Sequence, residues 1–235
     1  MVDGPRPTPL DSHRAVAWVS ILSLPICFAA MYTFMAAVNF DEALTDLPAA
    51  AISVIKTDYL AAWGIFDILG YYLMRVPLII ILWHWLRPQN PVLADIATVC
   101  ALFYVILAVV AASTLTGAVT GIAGQYATLD PITRAGLEGA WIAAVSTAYD
   151  GIWQYNLLPW AAWGIAMGGL LKTQHRWLGL SLQAIGLTSL LSVIIVFVPE
   201  EIRSVFAIAG SFQVHFSSLW MVWAGIVLLR GVQYE

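Results

Sequence analysis

Charge is scarce in this sequence. Ten lysines and arginines and fourteen aspartates and glutamates are spread over 235 residues, 10% of the chain, where a soluble domain carries roughly 25%. A chain this poor in ionisable side chains cannot clothe itself in polar surface, which excludes an ordinary water-soluble domain. The net charge of −4 comes with no basic patch, so no nucleic-acid partner is expected. Cysteine is nearly missing. Cys27 and Cys100 both lie in apolar runs and read as small buried hydrophobes, with no disulfide between them. His13, His84, His175 and His215 lack metal-ligand spacing, and only His215 lies deep in an apolar run. No metal site and no bis-histidine haem is therefore expected. The serine-hydrolase elbow, the zinc-protease helix and the phosphate loop are absent as well. No cofactor is expected, and the balance leans away from an enzyme.

Apolar residues are what the chain has: 61% of it, in long blocks and without strand-like alternation. About 20 such residues in a helix cross ~30 Å of hydrocarbon. The pattern predicts an all-α, polytopic membrane protein, a six-helix transmembrane bundle with spans near 15–38, 60–86, 94–116, 140–171, 177–198 and 205–229. Short tails, 1–14 and 231–235, flank this membrane domain. The uncharged run from Ala15 to Val38 exceeds the roughly 7–15 residues of a signal-peptide core, so it reads as a retained first span. Basic residues set the orientation. With the N-terminus inside, Arg6, Arg14, Arg87, Lys172, Arg176 and Arg230 are cytoplasmic, against Lys56, Arg134 and Arg203 outside. Acidic residues from Asp41 to Asp58, then Asp130, Glu138, Glu200 and Glu201, all fall outside too. The expectation is an inner-membrane protein, multi-pass, both termini cytoplasmic, with the lipid bilayer as its first partner.

Loop chemistry refines this plan. Arg87–Pro91 and Lys172–Arg176 are short turns that make their flanking spans antiparallel neighbours. Two long connections, about 39–59 and 117–139, lie outside. "DPITRAGLEGAW" starts a helix, with Asp130 as cap and Pro131 at the first helical position. "PEEIRSVF" from Pro199 starts another. Trp83, Trp85 and Trp177 fall at inner boundaries and Trp63 and Trp141 at outer ones, where tryptophan anchors spans. Gly117 with Gly121, and Gly164 with Gly168, are four apart and leave two helix faces open to close backbone approach.

The residues that invite chemistry are ionisable ones inside spans, each costing roughly 2.5–3.5 kcal/mol at a helix centre. Asp67, Asp150 and His215 fall roughly 10–15 Å below the outer face at 1.5 Å per residue, with Arg75 near the middle. Tyr71 lies four residues from both Asp67 and Arg75, which makes a polar strip on span two. Gln154 pairs with Asp150 in the same way, with Asn156 nearby. Gln213 and His215 are two apart and face different directions. One polar stratum would unite these groups. Arg75 neutralises one aspartate there, and the other must be protonated, paired with protonated His215, or hydrated. Such a group suits a proton relay or a solute site, and the candidate site is Asp67, Tyr71, Arg75, Asp150, Gln154, Gln213 and His215. Three readings follow. One is an intramembrane pocket that binds or moves a small solute or a proton. Another is a membrane enzyme with an aspartate general acid, acting on an isoprenoid-like substrate with Trp153, Tyr155 and Trp160 shielding a cation. The third is an accessory subunit that joins other membrane subunits, its charges serving as structural bolts.

"LRPQNPVLA" (86–94), "HRWLGLSLQAIGLTSLL" (175–191) and "LWMVWAGIVLLRGV" (219–232) carry a resemblance to the DUF4386 family of bacterial six-span membrane proteins. It extends over most of the chain through hydrophobic pattern and loop placement. Members often carry a Gly-Glu pair early in the last helix, where this chain reads Gln213, Val214, His215. The family has no established activity, so the resemblance implies a topology and brings no mechanism.

Overall fold

The computed structural model describes residues 9–194 and 197–230, with the backbone alone described over 9–11, 200–212 and at 214. Among these residues every regular element is helical. The helices are α1 (Pro9–Ala37), α2 (Thr57–Phe66), α3 (Val76–Leu86), α4 (Pro91–Tyr126), α5 (Pro131–Ser146), α6 (Gln154–Leu171), α7 (Arg176–Ile194) and α8 (Glu200–Leu229). A π-helical turn, Asp67–Tyr72, and a 3-10 turn, Leu73–Arg75, join α2 to α3 without a loop. A second π-helical turn, Thr147–Trp153, joins α5 to α6. Among the described residues the chain thus runs as six helical rods. Four segments are long and apolar enough to cross a bilayer: Ser12–Ala37, Thr57–Leu86, Pro91–Tyr126 and Arg176–Ile194. They mark an all-α membrane protein. The rod Pro131–Leu171 carries Arg134, Glu138 and Asp150, and the apolar part of α8 is the shorter His215–Leu229. The tails 1–8 and 231–235, and the side chains of Glu200, Glu201 and Arg203, lie outside the described residues.

The expected long connection over 117–139 is corrected. Helix α4 continues to Tyr126 and α5 begins at Pro131. Residues 117–126 contain glycines but no proline, and membrane helices tolerate glycine. Arg134 then seals the end of α4, donating to the Tyr126 carbonyl at 3.1 Å and the Ala127 carbonyl at 2.9 Å, a cation where the helix dipole is negative. The Asp130 cap is as expected, its carboxylate accepting from the Ile132 and Thr133 N–H groups. These two bonds and the Thr133 hydroxyl hold its pKa below the usual carboxylate value, the hydroxyl contributing most.

The helices divide between two compact units. The first comprises Met1–Leu24, Met74–Leu102 and Pro159–Glu235, the second Pro25–Leu73 and Phe103–Leu158. Two crossings coincide with Pro25 in α1 and Pro159 in α6, where the ring removes a helical hydrogen bond. A third falls in the 3-10 turn before Arg75.

In the first unit α6 lies against α7 backbone to backbone. A Cβ placed on Gly164 would lie 3.0 Å from the Gly186 Cα, and one on Gly168 2.7 Å from the Gly179 carbonyl oxygen. The spacing of Gly164 and Gly168 therefore does what it predicts, whereas Gly117 and Gly121 face open space. Helices α7 and α8 are joined by the buried Trp220 indole, which donates to the Leu178 carbonyl at 3.0 Å. The two short turns meet through the Thr173 hydroxyl and Gln89 at 3.1 Å. Beside them Asp95 accepts from Arg87 at 2.9 Å and from the Trp83 indole at 2.7 Å. The bond to Asp95 and its charge hold the Arg87 pKa above the usual arginine value. Arg176 lies over the exposed Trp177 ring at 5.5 Å.

The second unit is organised around buried tryptophans. Trp141 is fully buried and Trp63 nearly so, in one cluster with Leu60, Leu115 and Val145. The connection 38–56 folds back as short 3-10 turns, closed where the Lys56 N–H donates to the Ala37 carbonyl at 2.9 Å. Asn39, Phe40 and Leu47 take positive φ within it. The carbonyl of Leu47 accepts the Trp141 indole N–H at 2.7 Å. An indole whose polar atom finds a backbone carbonyl can be buried whole, with no need of the interface.

Candidate functional site

Both aspartates expected inside spans sit on π-helical turns of the second unit. Asp67 opens the turn Asp67–Tyr72, and Asp150 lies within Thr147–Trp153. At their ends the Leu73 N–H reaches the Ile68 carbonyl and the Gln154 N–H the Tyr149 carbonyl, five residues back. Such turns are rare, widen the helix and frequently accompany functional sites, because the extra residue shifts carbonyls out of regular pairing.

The surroundings of the two carboxylates differ. Asp67 is half-buried, in the same unit as Tyr149. Tyr149 stands edge-on to Trp153 at 5.0 Å, Trp153 to Trp63 at 6.2 Å, and Trp63 near Phe34 at 5.3 Å. Tyr71 and Tyr72 meet at 5.5 Å, and Tyr72 meets Tyr104 at 6.0 Å. Asp150 instead is exposed, with Gln154 half-buried beside it. Asn156 is buried, and its Nδ2 has no hydrogen-bond partner.

Arg75, Gln213 and His215 belong to the first unit. Arg75 is 1% exposed. Its Nη2 donates to the Ser217 hydroxyl at 2.9 Å, and its guanidinium carbon stands 4.9 Å from the centre of the Trp160 ring. Trp160 stacks on Trp163 at 4.5 Å, and Trp163 meets Trp220 edge-on at 6.1 Å. Gln213 is 2% exposed, while His215 is exposed, so these neighbours do face opposite ways. Asp150 and His215 are both exposed, each within its own unit.

Several functional candidates were not legible beforehand. Ser217 is one helical turn from Gln213 and holds Arg75, and that spacing was the available signal. Trp160, which an isoprenoid enzyme would use to shield a carbocation, covers an arginine. Tyr149 carries no sequence signal beyond adjacency to Asp150. Among the described residues no group of three histidine, cysteine or acidic side chains could hold a metal ion. No protein family model, no curated protein and no solved structure matches this chain.

Proposed function

We propose that this chain is a multi-pass inner-membrane protein that binds or moves a small solute or a proton through polar residues carried inside its hydrophobic helices. The observation behind this reading is the coincidence of both in-span aspartates with π-helical turns of one unit. A carboxylate in such a place pays for its desolvation only if it does something charged or prototropic. Asp67 is half-buried and Asp150 exposed, so Asp67 is the group held in the drier setting and Asp150 the group open to exchange. The basic bias places both termini in the cytoplasm, and the DUF4386-like pattern supports six spans.

The test is proton flux into pyranine-loaded proteoliposomes under an imposed pH gradient. Asp67→Asn is expected to lower that flux by roughly two orders of magnitude, the weight of a positioned proton-transfer group. Asp150→Asn should lower it less. Wild-type flux in both variants removes the reading. The exposure of Asp150 favours one second reading, an accessory subunit whose partner helix covers this carboxylate. Flux untouched by Asp150→Asn, together with loss of a co-purifying membrane subunit, would select it.

A further inference from the structure

Two turns of the first unit lie together at one end of its helices. One spans residues 87–90, between α3 and α4, and the other 172–175, between α6 and α7. The Thr173 hydroxyl donates to the Gln89 side-chain oxygen at 3.1 Å, and the His175 ring meets the Trp85 ring edge-on at 5.3 Å. The second turn is also held against α7. A Cβ placed on Gly179 would lie 2.5 Å from the Lys172 Cα. Charge is uneven across this surface. From 82 to 95 and from 168 to 181 the charged side chains are Arg87, Asp95, Lys172 and Arg176. Asp95 is taken by Arg87, whose Nε donates to it at 2.9 Å. Lys172 and Arg176 are exposed, and among the described residues neither makes an ion pair.

We propose that these paired turns are a docking surface for the phosphodiester headgroup of an anionic phospholipid, held by Lys172 and Arg176. Charge complementarity selects this partner. With Asp95 spent on Arg87, the two turns keep a surplus of two positive charges. Arginine presents a planar fork to phosphate oxygens, and lysine a point charge. A zwitterionic headgroup brings its own ammonium, which the surplus repels. Val92 and Trp177, each two residues beyond a turn, are exposed apolar side chains. They give acyl chains a place to lie beside the charge, which a free anion would not use. Basic residues at a membrane surface attract anionic lipid, and a turn fixed beforehand loses little freedom on binding. In the proposed orientation both turns face the cytoplasmic leaflet, the more negative surface. Every residue named belongs to the first unit, so the surface stands or falls apart from Asp67 and Asp150.

The test uses the full chain in neutral detergent, stripped of lipid and melted at physiological ionic strength. Short-chain phosphatidylglycerol is titrated in, with the matching phosphatidylcholine and inorganic phosphate as parallel arms. Phosphatidylglycerol that binds the folded state should raise the melting temperature saturably, and the other two should not. Lys172→Gln and Arg176→Gln should each raise its half-saturating concentration roughly fivefold, the weight of one basic residue near a lipid surface. Lys172→Arg, which keeps the charge, should stay near wild type. Lys56→Gln removes the same charge from the second unit and should change nothing. Should one glutamine variant fail to fold, the other carries the test. Coincident phosphatidylglycerol and phosphatidylcholine curves overturn the proposal. So does an equal effect of inorganic phosphate, which would mark a site for the free anion. A phosphatidylglycerol effect that persists unchanged in the glutamine variants, or that Lys56→Gln weakens as much, overturns it too, because the attraction then belongs to net charge or to another surface.

Discussion

At the scale of single residues, polar atoms in this protein are assigned by direction more than by depth. Trp141 and Trp177 share a side-chain type and a span-boundary position in the sequence. One is fully buried with its indole on the Leu47 carbonyl at 2.7 Å, and the other is 68% exposed. Trp141→Phe leaves that carbonyl dry and is expected to destabilise the protein by about 1–3 kcal/mol. Trp177→Phe should stay within about 0.5 kcal/mol of wild type. Thermal unfolding of both variants in the same detergent checks this, and equal melting temperatures would refute it. The sequence could not separate the two, because the acceptor for Trp141 is contributed by a residue 94 positions away. Gln213 and His215 show the opposite case. Two residues on a helix differ by about 200°, so their divergence into buried and exposed faces was legible in spacing alone.

At the scale of elements, glycine spacing and proline placement carried much information, but each needed a neighbour to acquire meaning. Gly164 with Gly168 and Gly117 with Gly121 have the same spacing. Only the first pair meets another backbone, that of α7. Gly168→Ala puts a methyl 2.7 Å from the Gly179 carbonyl and should cost roughly 1–3 kcal/mol through overpacking. Gly117→Ala has open space and should be neutral or stabilising by up to about 1 kcal/mol, the difference in helix propensity. Melting the two variants side by side decides it, and a stabilising Gly168→Ala would refute the close approach of α6 and α7. The π-helical turns belong to this scale too. A sequence window cannot register them, since an extra residue in one turn changes no apolar periodicity that a long hydrophobic run displays. The end of α4 was misplaced for a related reason: with no proline until Pro131, its boundary is set by Arg134 folding back on the Tyr126 and Ala127 carbonyls.

At the scale of the whole molecule, the organisation was legible in outline. Few charges, long apolar runs and short basic turns lead to six helical rods among the described residues, four of them both long and apolar enough to cross a bilayer. The proposed orientation has a direct check, because Cys27 and Cys100 both lie inside helices. Thr128→Cys, in the turn between α4 and α5, should react with a membrane-impermeant maleimide on intact spheroplasts. Thr173→Cys, between α6 and α7, should react only after permeabilisation. The reverse pattern would invert the topology. The assignment of helix segments to two units had no sequence signal except the prolines at 25 and 159, where regular backbone pairing is interrupted.

What the chain determines alone is its solvent and its helices. Apolar runs of bilayer length cannot be hidden any other way, and local backbone pairing closes within each run whatever its neighbours do. What only the tertiary structure decided is which side chains face one another: Arg75 on Ser217 and Trp160, and Trp141 on Leu47. In a chain whose helices are apolar on nearly every side, hydrophobic pattern leaves rotation about each helix axis undetermined, and a handful of close approaches and polar contacts sets it.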